Sequence, residues 1–235
     1  MNPILITRAP LIVIPLLLAA GCQALPVTET RPVEPSPAPV IVPSDAPRYA
    51  VDPQASEIRL LVYRDGPLAR FGHNHVIVGR VQGEIRAADT AAGSGFRLEI
   101  PAGSLSVDPP AARAEEGEAF TAQVSDAARR GTRENMLGVD VLDSAVQPLI
   151  RIESVALTGP PWAPTVTARV TLRGTTRDLS FPAAVVRAGD SLVVIASFPI
   201  RQSDFGIQPF SALNGGLRVR DALDVRLRLV ARRED

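Results

Sequence analysis

The chain contains no lysine. All 25 of its basic residues are arginine, and 25 acidic residues balance them to a formal charge of zero. A neutral chain carries no electrostatic footprint for nucleic acid, whose binding rests on neutralised phosphates. Arginine does suit carboxylate and phosphate recognition, but Ala, Pro, Val and Gly are abundant too, so the bias follows the composition of the whole chain. Cysteine occurs once, at Cys22, which leaves no intrachain disulfide, no redox couple and no thiolate metal site; the fold must hold by its apolar core alone. Aromatic residues make up only 4%. No Gly-x-Ser-x-Gly elbow and no phosphate-cradling glycine loop occurs, so neither serine hydrolysis nor nucleotide chemistry has a visible site. The carboxylates are scattered over strand faces and read as solvated surface. With no catalytic constellation, the chain reads as a binding protein and not an enzyme. No internal repeat and no second folded domain is apparent.

The apolar run from Ala9 to Ala20 follows Arg8, contains Pro10 and Pro15, and is too short to span a bilayer as a stable helix. A charged start, a short apolar stretch and small residues before a cut are the marks of a secretory signal. Ala19-Ala20-Gly21-Cys22 resembles the lipobox of bacterial lipoproteins, in which the cysteine is lipidated and becomes the mature N-terminus. Gln23 follows it, where Asp would favour retention in an inner membrane. The expected organisation is a signal over residues 1–21, a tether over 22–47 and one folded body over 48–235. The expected location is the cell envelope, on the periplasmic face of an outer membrane. Proline is dense from Pro26 to Pro47. Such a segment favours extended polyproline II at about 3.1 Å per residue, a spacer that holds the body away from the membrane.

From Tyr49 onward the pattern has period two. Ile58, Leu60 and Val62 alternate with Arg59, Leu61 and Tyr63, and Phe96, Leu98 and Ile100 with Arg97 and Glu99. Val166, Ala168, Val170 and Leu172, then Leu223, Val225, Leu227 and Leu229, repeat the pattern against polar neighbours. These are strands with one apolar face. Gly159-Pro160-Pro161, Ala188-Gly189-Asp190 and Asn214-Gly215-Gly216 mark turns, and Gly174-Thr175-Thr176 reads as a hairpin turn with a charged rim. The count is about eight to ten strands. Ala111 to Leu137 breaks the rule. It is rich in Ala, Arg and Glu, and Ser125 or Asp126 is placed to cap a short helix. The class is all-β with one or two short inserted helices, closed as a barrel or packed as a sandwich. An eight-stranded barrel is wide enough for one small ligand.

The order of motifs carries a family resemblance. Tyr49-Ala50-Val51-Asp52-Pro53 opens the body, and Gly79-Arg80-Val81-Gln82-Gly83-Glu84 follows the first hairpin. Ser104-Leu105-Ser106-Val107-Asp108 precedes the insert, which Met136-Leu137 closes. Gln147-Pro148-Leu149-Ile150, Val170-Thr171-Leu172-Arg173-Gly174 and Ser203-Asp204-Phe205-Gly206 come next. In this order the chain resembles the YceI-like family, the lipid- or polyisoprenoid-binding domain, from about Tyr49 to Leu229. The resemblance implies an extended, lipocalin-like antiparallel β-barrel of about eight strands. Its apolar lumen would hold a long isoprenoid, a polyprenyl lipid or a quinone tail, for storage or transport, with no cofactor required. Cys22 would supply the link to the membrane. The insert here reads Arg129-Arg130-Gly131-Thr132-Arg133-Glu134 and lacks the histidine that the family often carries there.

Both histidines fall in Phe71-Gly72-His73-Asn74-His75-Val76. In extended chain His73 and His75 share a face. Three roles stand open: a structural pair bonding loop carbonyls, contact with a ligand head group, or two ligands of a Zn²⁺ or Cu²⁺ site completed by a carboxylate such as Asp65 or Asp204. The metal role would make the chain a metal-binding envelope lipoprotein, and the structural role one whose barrel serves interaction. The letters His-Asn-His also name a nuclease motif, but no basic groove accompanies them. Phe71, Phe205 and Phe210, with His73 and His75, are the candidate ligand contacts, and the loop of the two histidines is a candidate gate.

Overall fold

A computed structural model describes residues 45–234; the signal, Cys22 and all but the end of the tether lie outside them. The strands are Arg48–Val51 (β1), Glu57–Val62 (β2), Arg64–Asp65 (β3), His75–Arg80 (β4), Gln82–Arg86 (β5), Gly95–Pro101 (β6), Ser106–Val107 (β7), Leu149–Thr158 (β8), Thr165–Leu172 (β9), Thr175–Ala188 (β10), Ser191–Arg201 (β11), Ser211–Ala212 (β12), Leu217–Val219 (β13) and Ala222–Arg233 (β14). Two helices, Pro110–Ala114 (α1) and Asp126–Leu137 (α2), interrupt them. Among the described residues no helix is long and apolar enough to cross a membrane.

All pairings are antiparallel. The order β1-β5-β6-β8-β9-β10-β11-β14 returns to its start because β14 pairs with β1. The barrel is therefore closed, which removes the exposed edges an open sheet would have. β14 is long enough to take β1 at one end (Val51 opposite Ala231) and β2 at the other (Leu60 opposite Val225). β4 and β5 divide in the same way, β4 on β2 and β5 on β1. Within β5, opposite Leu98 of β6, the backbone needs Gly83. Its φ of +135° is closed to other residues, and a Cβ there would meet the Arg97 carbonyl oxygen at 2.1 Å.

The alternation in the sequence decides the wall. Val225, Leu227, Leu229 and Ala231 of β14 are buried while Asp224, Arg226 and Arg228 face out. Ile58, Leu60, Val62, Leu98, Ile100, Val166, Val170 and Leu172 likewise point into the lumen. The β9–β10 turn sits at Arg173–Gly174, φ +49° and +72°, the left-handed pair a two-residue hairpin requires. Thr175 and Thr176 already belong to β10.

One seam in the wall is unzipped. The β10–β11 ladder runs from Ala188/Ser191 to Ala183/Ala196 and stops. Pro182 follows on one strand and Pro199 comes soon after on the other, and proline has no N–H for a ladder. The short turn Ser203–Phe205 packs against both strands, with Phe205 and Ile207 fully buried.

The insert has two parts. Ala112 of α1 and Phe120 pack with Leu61 and Val76 in a small second core on the outer face of β2 and β4. Ser125 caps α2, its hydroxyl accepting from the Ala128 N–H. α2 then lies over one barrel end, where Arg133 donates to the carbonyls of Leu105 and Gly103.

Candidate functional site

Inside the barrel lies a cavity of about 260 Å³. Its wall comes from β2, β4, β6, β8, β9, β10, β11 and β14, and α2 contributes Thr132, Asn135 and Met136 at one end. Phe205, Ile207, Phe210 and Val219 close the same end. The lining is aliphatic or aromatic apart from His75, Thr132, Asn135 and Gln202, and it contains no Asp, Glu or Arg. An apolar tail transferred here leaves water without desolvating a charge, so each buried CH₂ contributes about 0.8 kcal/mol.

His75 is the titratable group on this wall. It opens β4 opposite Val62 of β2, and cross-strand partners share a face, so both reach the lumen. Its Nδ1 lies 2.6 Å from Oδ2 of Asp108, which is fully buried. The other oxygen of Asp108 accepts from the Val76 N–H at 2.8 Å and from Arg113 Nη1 at 2.6 Å. Arg113 is itself buried, and donates further to the carbonyls of Asn74, Phe120 and Ala122. Burial alone would push the Asp108 carboxyl up. The hydrogen bonds from His75 and Val76, with the nearby guanidinium, outweigh it and hold the group below the usual carboxylate range. An ionised Asp108 can only accept, so the His75 Nδ1 donates. In the neutral imidazole that fixes Nε2 as an acceptor.

The ring of His73 stands edge-on to His75 with centroids 4.7 Å apart. Its Nε2 is buried and meets no hydrogen-bond partner among the described residues. Burial and the neighbouring His75 together hold its pKa below the ordinary histidine value. The unfolded chain takes up a proton near pH ~6.5 that the folded chain refuses. Stability is then complete above that pH and is expected to fall as pH drops below it. A second loss is expected as pH falls below ~3.9 and through the depressed Asp108 value. Urea midpoints followed from neutral to acid pH should show the first slope flattened in His73→Phe and the second in Asp108→Asn.

His75, Phe205 and Phe210 thus meet on the cavity wall. His73 sits behind His75. Phe71 stands away from the lining, 67% exposed, with the Arg70 guanidinium 4.6 Å from its ring centre. Of the carboxylates considered for a metal site, Asp65 pairs with Arg218 at 3.6 Å, Asp204 lies in the turn Ser203–Phe205, and the group on His75 is Asp108. Among the described residues no three His, Cys, Asp or Glu side chains gather as metal ligands would. Cys22 lies outside the described residues. Sequence reasoning missed Asp108 and Arg113. The available signal was a lone Asp closing a strand before Pro109-Pro110, with an arginine five residues on.

Residues 49–231 match the family model of the YceI-like domain. Among solved structures the fold is similar to Burkholderia cenocepacia BcnA, at 15% identity and a TM-score of 0.54, covering 77% of this chain and 98% of that one. It is similar also to a polyisoprenoid binding domain from Saccharophagus degradans implicated in plant cell wall breakdown, at 14% identity and a TM-score of 0.54, covering 79% and 98%. At these identities the likeness is one of fold. No curated protein matches the chain.

Proposed function

The chain belongs to the YceI-like family, and from that premise we propose that its barrel binds the tail of a long isoprenoid, a polyprenyl lipid or a quinone, without catalysis. The observation that carries this reading is the almost wholly apolar lining, without Asp, Glu or Arg, of a cavity of about 260 Å³ inside the barrel. A barrel with a filled core would have no such space. A structurally similar protein is a polyisoprenoid binding domain, which supports the same class of ligand here.

The head of the ligand meets His75. Asp108 and Arg113 neutralise each other, and the four hydrogen bonds that the Arg113 terminal nitrogens donate go to Asp108 and to three backbone carbonyls. Among the described residues no arginine lines the main cavity to receive a phosphate or carboxylate. The head group is therefore uncharged, a hydroxyl or a quinone ring. The purified full chain, offered solanesol and solanesyl phosphate together, should retain the alcohol at least tenfold better. Preference for the phosphate would overturn the head-group assignment, and retention of neither would overturn the binding reading.

Cys22 carries the lipid anchor in this account, and the proline-rich segment is the tether that holds the barrel at the periplasmic face of the outer membrane. The lipobox-like Ala19-Ala20-Gly21-Cys22 and the proline density support it. The protein stores its cargo or passes it on from that position.

A further inference from the structure

The lumen has a waist. Beyond the main cavity lies a smaller one of about 80 Å³, lined by Phe96, Leu98, Val166, Leu192 and Leu229 among others. Four residues line both: Ile58, Ile152, Val170 and Phe198. Three of these are aliphatic. Phe198 alone brings a ring to the divide, and that ring lies flat on Phe181, with centroids 3.9 Å apart and planes 10° from parallel. Phe181 is buried and lines the smaller cavity but not the main one.

The backbone explains the pair. The register that sets Ala183 opposite Ala196 sets Phe181 opposite Phe198 when continued by two residues, and cross-strand partners point to one face. This is where the β10–β11 ladder has stopped and prolines follow. The stacked rings, not hydrogen bonds, join the two strands there. A ring fixed by a flat partner on the next strand is a poor candidate for rotating aside, since turning it breaks the stack and uncovers apolar surface.

We propose that Phe198, held in place by Phe181, is the residue that sets the length of the bound tail: the tail ends against this ring, and the smaller cavity behind it is a second apolar subsite reserved from the native ligand. The inference rests on the reading that the lumen binds an isoprenoid tail. It assigns this chain's length preference to one side chain, on strands remote from the head-group contact at His75.

The test is a competition on the full chain. An equimolar mixture of all-trans prenols, from farnesol to solanesol, is offered to wild type and to Phe198→Ala, excess is removed, and the retained alcohols are weighed by mass spectrometry. In wild type, retention should rise with length and then level off. In Phe198→Ala the levelling point should move by at least one isoprene unit, with at least about a tenfold gain for the first prenol beyond the wild-type limit. Phe181→Ala, which frees the ring without removing it, should shift the profile the same way by less. Phe198→Leu keeps an apolar side chain in the core and serves if the alanine variant unfolds. A folded variant with the wild-type profile overturns the proposal while leaving the binding reading intact. Retention of no prenol by wild type overturns both.

Discussion

Arg113→Ala is expected to destabilise the fold by about 3–5 kcal/mol, the cost of leaving a buried carboxylate without its partner. Asp108 has no exposed surface, and Arg113 is its cation at 2.6 Å. The same guanidinium satisfies three backbone carbonyls, two of them, Phe120 and Ala122, in the insert. Removing it breaks one of the ties between the insert and the residue before β4, and strands the charge at once. For a domain of this size the midpoint of thermal unfolding should fall on the order of 10 °C. Adding Asp108→Asn should recover a substantial part of the loss, because the stranded charge goes while the amide keeps a similar shape. Asp108 has a φ of +50°, a conformation that asparagine tolerates better than most residues. Thermal unfolding of the two single variants and the double variant checks this. Additive losses would mean that the two side chains do not act as a pair.

The second large effect is on binding. Leu60→Trp should lower isoprenoid retention by about two to three orders of magnitude. Leu60 faces the main cavity from β2, opposite Ile77 of β4 and Val225 of β14, both of which also line it. An indole placed there fills the middle of the space that the tail needs. Excluding four or five methylenes at about 0.8 kcal/mol each removes about 3–4 kcal/mol of binding, which is about 10²–10³ in affinity. The fold should lose no more than about 1–1.5 kcal/mol, because the added bulk enters a void and not a packed core. Equilibrium unfolding and prenol retention on the same preparation separate the two effects. Unchanged retention in a folded variant would place the ligand elsewhere.

These two sites differ in how far the sequence reveals them. The wall was legible because a strand with one apolar face writes itself at period two. Ile58-x-Leu60-x-Val62 and Leu223-x-Val225-x-Leu227-x-Leu229 line the lumen as their spacing requires. The insert was legible from the loss of that period, and Ser125 from its place before a run of helix formers. Phe205 and Phe210 stood out as aromatic residues near a strand end, and both reach the cavity. Phe71 looks the same in sequence, yet it lies on a surface turn, where no periodicity assigns a face.

The polar site was hidden for a different reason. Asp108 is 33 residues from His75 and reaches it only because β7 pairs with β4 beside it. Arg113 lies in a stretch so rich in Arg and Glu that each charge reads as solvated. Burial of one arginine among many is a tertiary fact. The stacked Phe181 and Phe198 depend on the register between β10 and β11, which neither strand's own pattern contains. Pro182 and Pro199 were the available clue, since a proline on each of two neighbouring strands marks where a ladder must stop.

The claim on which everything else depends is that the lumen is a binding site for an uncharged isoprenoid. The most direct test is mass spectrometry of the organic extract of the full chain purified from a bacterial envelope, with Leu60→Trp prepared alongside. Close to one isoprenoid with an uncharged head group per wild-type chain is expected, and almost none with the variant. A folded wild-type chain whose extract is blank, or whose lipid is retained equally by Leu60→Trp, would contradict it.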